Sequence, residues 1–135
     1  MGNRSEQLEH IRPEIKSSRI IEGMSDEEYF QNKTLRPILK FQNPLLLVIF
    51  QNYIKKHKNR FYELSMSKRF LYLENAIQKD IKLRNALKGV IIGQFTVEEY
   101  ELYLQNSSAL NKRMMKMVIE RYKDQIQFFE DKILV

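Results

Sequence analysis

Apolar residues recur at three- and four-residue spacing along almost the whole chain, with no hairpin dipeptide such as Asn-Gly between apolar runs. That period lays one apolar face along a helix and cannot line one face of a strand, so strands are not needed to account for any segment. Only four Gly and three Pro punctuate the 135 residues. The expected fold class is all-α, a single-domain bundle of about five helices around a central apolar helix. A chain of this length can bury one continuous core without staples, and the absence of cysteine excludes disulfides, thiolate metal sites and cysteine nucleophiles.

Boundaries follow from capping chemistry. Residues 1–23 carry a weak pattern, Leu8, Ile11 and Ile15, interrupted by Pro13, which predicts a loosely attached N-terminal arm; residues 24–135 form the helical bundle domain. Ser25-Asp26-Glu27-Glu28 reads as a capping box, with Met24 and Tyr29 as its hydrophobic staple. Pro37 must kink that helix or begin a new one. Asn43-Pro44 predicts a cap and first helical position for the next helix, through about Tyr62, whose run from Leu45 to Phe50 is apolar all round and so central. Ser67 opens a helix toward Ile92, Thr96 to Glu99 form a second capping box, and Ser107 or Ser108 caps the last helix.

The residues that announce catalysis or metal binding are missing. His10 and His57 are the two histidines, and neither has a ligand partner at helical spacing; no Gly-rich phosphate loop or nucleophile elbow occurs. No cofactor is expected. Glu98, Glu99 and Glu101 form a carboxylate cluster that reads as solvent-facing acids complementing a helix dipole. No apolar run approaches a membrane span and no secretory leader is recognisable, which predicts a cytoplasmic protein with no membrane partner.

Four ionisable residues fall inside apolar stripes when each helix is laid out at about 100° per residue: His57, Asp80, Arg84 and Arg121. Asp80 and Arg84 have the i,i+4 spacing that permits pairing, and the four are expected to form an interior polar cluster or to line a small pocket, with His57 and Asp80 able to handle a proton. The net charge of +6 is concentrated in the middle of the chain. Lys55, Lys56, Lys58, Arg60, Lys79, Lys82 and Lys88 form a candidate basic patch, either a solvated face or a weak nucleic-acid contact. The apolar arc of the last helix is about twice the width one core contact needs. Its edge residues Met115, Ile119, Tyr122 and Ile126 therefore predict a homodimer face, unless the arm folds over them.

Segments 30–43, 74–82 and 92–100 resemble a family of short helical proteins from the Bacteroidetes group of bacteria, over roughly Met24 to Phe129. Members of that family often carry a glyoxalase label. Glyoxalase-type enzymes resemble paired βαβββ modules with His and Glu ligands on strands, whereas this chain offers neither. The resemblance implies a helical fold and a bacterial cytoplasm and adds no catalytic residue. The function expected is that of a non-enzymatic interaction or regulatory protein acting as a homodimer or with another protein; the alternatives are a nucleic-acid-binding module and a small enzyme with a polar bundle-core pocket.

Overall fold

The computed structural model describes residues 3–15 and 22–130; Met1, Gly2 and residues 16–21 of the expected arm lie outside the described residues. The fold is an all-α, single-domain bundle: α1 (Arg4–Ile11), α2 (Asp26–Phe30), α3 (Arg36–Lys56), α4 (Met66–Lys79), α5 (Ile81–Ile92), α6 (Val97–Leu104), α7 (Ser107–Asp124) and α8 (Gln127–Glu130). No helix among the described residues is long and apolar enough to cross a membrane.

The prolines do not divide the first half of the bundle as their positions suggest. Ser25 caps α2 as expected, its hydroxyl accepting from the Glu28 amide, but α2 then runs through one π-helical stretch, Gln31–Leu35, straight into α3. Pro37 sits in the first turn of α3. A proline ring there would strike the carbonyl four residues back, and widening the preceding turn, with the Arg36 amide reaching to the Gln31 carbonyl, relieves that contact. Pro44 opens no helix; it lies inside α3, on the exposed side. The carbonyl it leaves without a donor belongs to the exposed Lys40, where water can replace the lost bond. Asn43 is accordingly no cap. It exchanges two hydrogen bonds with Gln125, at 2.7 and 2.8 Å, tying the middle of α3 to the α7–α8 junction.

Helix α3 stops at Lys56, earlier than expected, because Lys58 and Asn59 take left-handed backbone angles, φ +62° and +58°. The helix expected from Ser67 to Ile92 starts after Ser65 and is broken at Asp80, whose extended backbone ends α4 and whose side chain caps α5 by accepting from the Leu83 amide at 3.1 Å. Asp80→Ala removes that cap and should cost about 1 kcal/mol, measurable as a lower urea midpoint with an unchanged slope. The capping box of Thr96 and Glu99 is present in full at the start of α6.

The core lies between α3, α4, α5 and α7. Leu35, Leu39, Phe50, Ile54, Leu73, Ile77, Leu87, Ile91 and Met114 are completely buried in it. Phe50 is its aromatic hub, surrounded by the rings of Tyr53, Phe61, Tyr72, Tyr122 and Phe129. The apolar run Leu45 to Phe50 is not enclosed all round: Leu46, Leu47 and Phe50 are buried, whereas Leu45 and Val48 face outward.

The described first part of the N-terminal arm, through Arg12, is docked on the bundle. Helix α1 buries no residue, yet Arg4 donates to the carbonyls of Phe95 (2.7 Å) and Gly93 (3.0 Å), Ser5 to Glu98 (3.0 Å), and Arg12 to the Gln94 carbonyl (2.9 Å). Arginine side chains thus hold it against the α5–α6 turn, far in kind from the apolar fold-over of Leu8, Ile11 and Ile15.

Candidate functional site

The four ionisable residues expected to meet inside the bundle do not meet. His57 is exposed at the end of α3, its ring stacked on Tyr53 with centroids 4.0 Å apart and Nδ1 donating to the Tyr53 carbonyl at 2.9 Å. Asp80 lies near the same tyrosine: burial first, then the nearby Tyr72 and Asp80, push the Tyr53 hydroxyl up to about 12. No contact joins His57 to Asp80 directly among the described residues, so the proton-handling pair is not formed. Arg84 does not pair with Asp80; its Nη1 donates to the Gln78 carbonyl at 3.1 Å, and its Nε is buried without an acceptor. Arg121 lies elsewhere, in a separate cleft with Arg36, Asp124 and Gln31, where burial and the like charge of Arg36 push its pKa down against the pull of Asp124. The helical phase carried from α4 to Arg84 fails because the backbone breaks at Asp80, whose side chain is turned to capping α5.

The strip Met115, Ile119, Tyr122 and Ile126 is buried within the chain, each residue no more than 7% exposed, so it is not a face for a second copy. Tyr122 donates its hydroxyl to the Leu46 carbonyl on α3. The wide arc of α7 is covered by α4, α5, α6 and the π-helical stretch together. Outward apolar rows lie elsewhere: on α3, Phe41, Pro44, Leu45 and Val48 follow one another at i, i+3, i+4 and i+7, with Phe41, Leu45 and Val48 42, 47 and 52% exposed, and on α6, Val97, Tyr100 and Leu104 follow at i, i+3 and i+7, 56, 43 and 56% exposed.

The basic patch divides in two. Lys55, Lys56, Lys58 and Arg60 at the end of α3 and Lys79 and Lys82 at the α4–α5 junction are all exposed. Lys88 belongs to a different place. With Arg84 it forms the α5 wall of a cleft of about 600 Å³ between α4, α5 and α7; Lys112 and Lys116 form the α7 wall, and Met115 and Ile119 its apolar lining. Glu74 and Gln78 of α4 also line it: Glu74 accepts a hydrogen bond from Lys123, the Gln78 carbonyl accepts from Arg84, and Glu120 stands one helical turn from both Lys116 and Lys123. Lys112 and Lys116 were legible as bases in the sequence, but nothing in it shows that α7 lies across from Arg84 and Lys88.

Sequence reasoning also misplaces Glu99. It reads as a solvent-facing acid, whereas its side chain is 12% exposed and accepts hydrogen bonds from both terminal nitrogens of Arg12 (2.7 and 2.9 Å), the Thr34 hydroxyl (2.9 Å) and the Thr96 amide (2.9 Å). Its chemistry is structural, joining α1, the π-helical stretch and α6. Among the described residues no group of three or more His, Asp or Glu is placed to hold a metal ion. The chain matches no protein-family model, no curated protein and no solved structure.

Proposed function

We propose that this chain is a non-enzymatic interaction protein that self-associates as a homodimer, through the outer face of α3. The observation that carries the reading is the row Phe41, Pro44, Leu45 and Val48 on the solvent side of the longest helix. Single exposed apolar side chains are ordinary, but four in register along about 10 Å of helix make a continuous strip. A two-fold contact is self-complementary, so the same row covers both copies without a second specialised surface. The strip is small beside the roughly 800 Å² per partner of a stable complex, which points to a weak, concentration-dependent dimer.

Sedimentation across a wide concentration range tests this. A dimer fraction that rises with concentration and disappears in Leu45→Glu and Val48→Glu, with unchanged thermal unfolding of the monomer, is the expected result. A chain that stays monomeric at the highest concentration, or a dimer indifferent to both charges, refutes it. A second reading, weak nucleic-acid binding, is favoured by the exposure of all of Lys55, Lys56, Lys58, Arg60, Lys79 and Lys82. Contacts of that kind are to phosphates and fade as salt rises.

A further inference from the structure

The cleft between α4, α5 and α7 is lined by charges arranged at a cost that packing alone does not explain. Arg84 and Lys88 stand at i,i+4 on α5, and Lys112 and Lys116 stand at i,i+4 on α7, all lining the same cavity. Like charges at that spacing repel along each helix, and here two such pairs also share one concave space. None of the four makes an ion pair among the described residues. Of the two carboxylates in the cleft, Glu74 is committed to Lys123, while Glu120 stands one helical turn from both Lys116 and Lys123. Arg84 adds an unmet donor, since its Nη1 is fixed on the Gln78 carbonyl and its Nε is covered yet has no acceptor. With Nη1 so engaged and Nε covered, Nη2 is the guanidinium nitrogen that remains to meet a phosphate or carboxylate.

We infer that this cleft binds a phosphorylated small molecule of nucleotide size, with its phosphate held between Arg84 and Lys88 on one wall and Lys112 and Lys116 on the other. The volume, about 600 Å³, is that of an ordinary ligand site and exceeds what a lone inorganic anion fills. Met115 and Ile119 line the cleft only with the 7% of each that stays exposed. Asn111, whose Oδ1 is taken by the Tyr103 hydroxyl at 2.7 Å, keeps its amide NH₂ as a donor. Glu74, Gln78 and Glu120 also line the cleft and supply acceptors for the amino or hydroxyl groups of the rest of the ligand. The cavity separates this group of cations from the exposed lysines of the α3 end, which have charge alone.

Calorimetric titration of the full chain at physiological salt tests the inference, with a panel of nucleoside mono-, di- and triphosphates, the matching unphosphorylated nucleosides, pyrophosphate and a short single-stranded RNA as probes. The expected result is saturable one-to-one binding of at least one nucleotide. It should weaken at least tenfold in Lys112→Gln/Lys116→Gln, weaken similarly in Arg84→Gln, and be unchanged in Lys55→Gln/Lys56→Gln. Lys112 and Lys116 are exposed or at the rim, so that double variant keeps the test valid should Arg84→Gln disturb folding. The inference is overturned if no nucleotide binds at millimolar concentration, if nucleosides bind as well as nucleotides, or if the α3-end variant loses binding equally. It is also overturned if only the RNA binds, which would assign the cations to a polymeric phosphate backbone.

Discussion

Replacing Phe50 by Ala is expected to cost about 3–5 kcal/mol of folding stability, a large share of what a domain of this size possesses. Phe50 is completely buried, and five other rings stand around it with centroid distances of 5.1 Å to Tyr122, 5.4 Å to Phe129, 5.6 Å to Tyr53, 6.3 Å to Phe61 and 6.5 Å to Tyr72. Those rings come from α3, the turn after it, α4, α7 and α8, so no single neighbour can move in to fill the space without abandoning another contact. Edge-to-face geometry at most of these contacts adds specificity beyond apolar area. Phe41 is the internal control: it is the same residue type on the same helix, but 42% exposed. Phe41→Ala should change stability by about 1 kcal/mol at most. Urea denaturation of both variants measures the contrast through the midpoint, with the slope reporting whether the denatured state has changed. Equal losses in the two variants would mean that the ring cluster is not the keystone of the core.

That contrast also marks how far the sequence could be read. Periodicity distinguishes helix from strand for Phe41 and Phe50 alike, because it needs only relative position along the chain; the all-α architecture and the Thr96–Glu99 capping box are legible for the same local reason. Identity of the neighbour is not local. The width of the apolar arc on α7 correctly implied more than one surface to cover, but the arc counts covering surfaces without saying whose they are. Met115, Ile119, Tyr122 and Ile126 are covered by their own chain. Phase carried along a presumed continuous helix is the second source of error. Laying residues 67–92 out at 100° each placed Asp80 and Arg84 on one interior stripe, yet Asp80 has φ −84° and ψ +105°, and the angle accumulated before it means nothing after it. His57 was misplaced likewise, beyond the last turn of α3, where the chain turns left-handed. The cleft of Arg84, Lys88, Lys112 and Lys116 was illegible because it depends on packing α5 against α7, a juxtaposition without a sequence period. The arm was illegible for a related reason: arginines bonded to carbonyls and carboxylates leave no apolar signature.

Glu99 shows what such polar ties are worth, and Glu99→Gln is expected to destabilise the fold by about 3 kcal/mol at neutral pH. The ion pair with Arg12 is mostly enclosed, the two side chains being 12% and 11% exposed, and it is bidentate. Gln retains an oxygen that can accept from the Thr96 amide, so the capping box survives, and what is lost is the charge facing Arg12. Burial by itself would raise the Glu99 pKa, but the hydrogen bonds from Arg12, the Thr96 amide and Thr34, with the Arg12 charge, outweigh it and hold the carboxyl below the usual carboxylate range. A group whose pKa is lower folded than unfolded binds its proton more readily in the unfolded chain. Its contribution to stability is therefore fully present above the ordinary glutamate pKa, about 4.3, and is lost as the pH falls through the lower folded-state value. The gap between the native chain and Glu99→Gln should hence be constant from neutral pH down to about 5 and narrow below that, since Gln does not titrate. Urea midpoints measured from pH 7 to pH 3 for both proteins give the comparison. Arg12→Ala should remove the same acid dependence and, in addition, loosen α1, whose other ties include Arg4 and Ser5; limited proteolysis would then cut between residues 3 and 15 first. A stability gap as wide at pH 3 as at pH 7 would show that the loss in Glu99→Gln does not come from the buried charge pair, and that this pair contributes nothing to holding the arm.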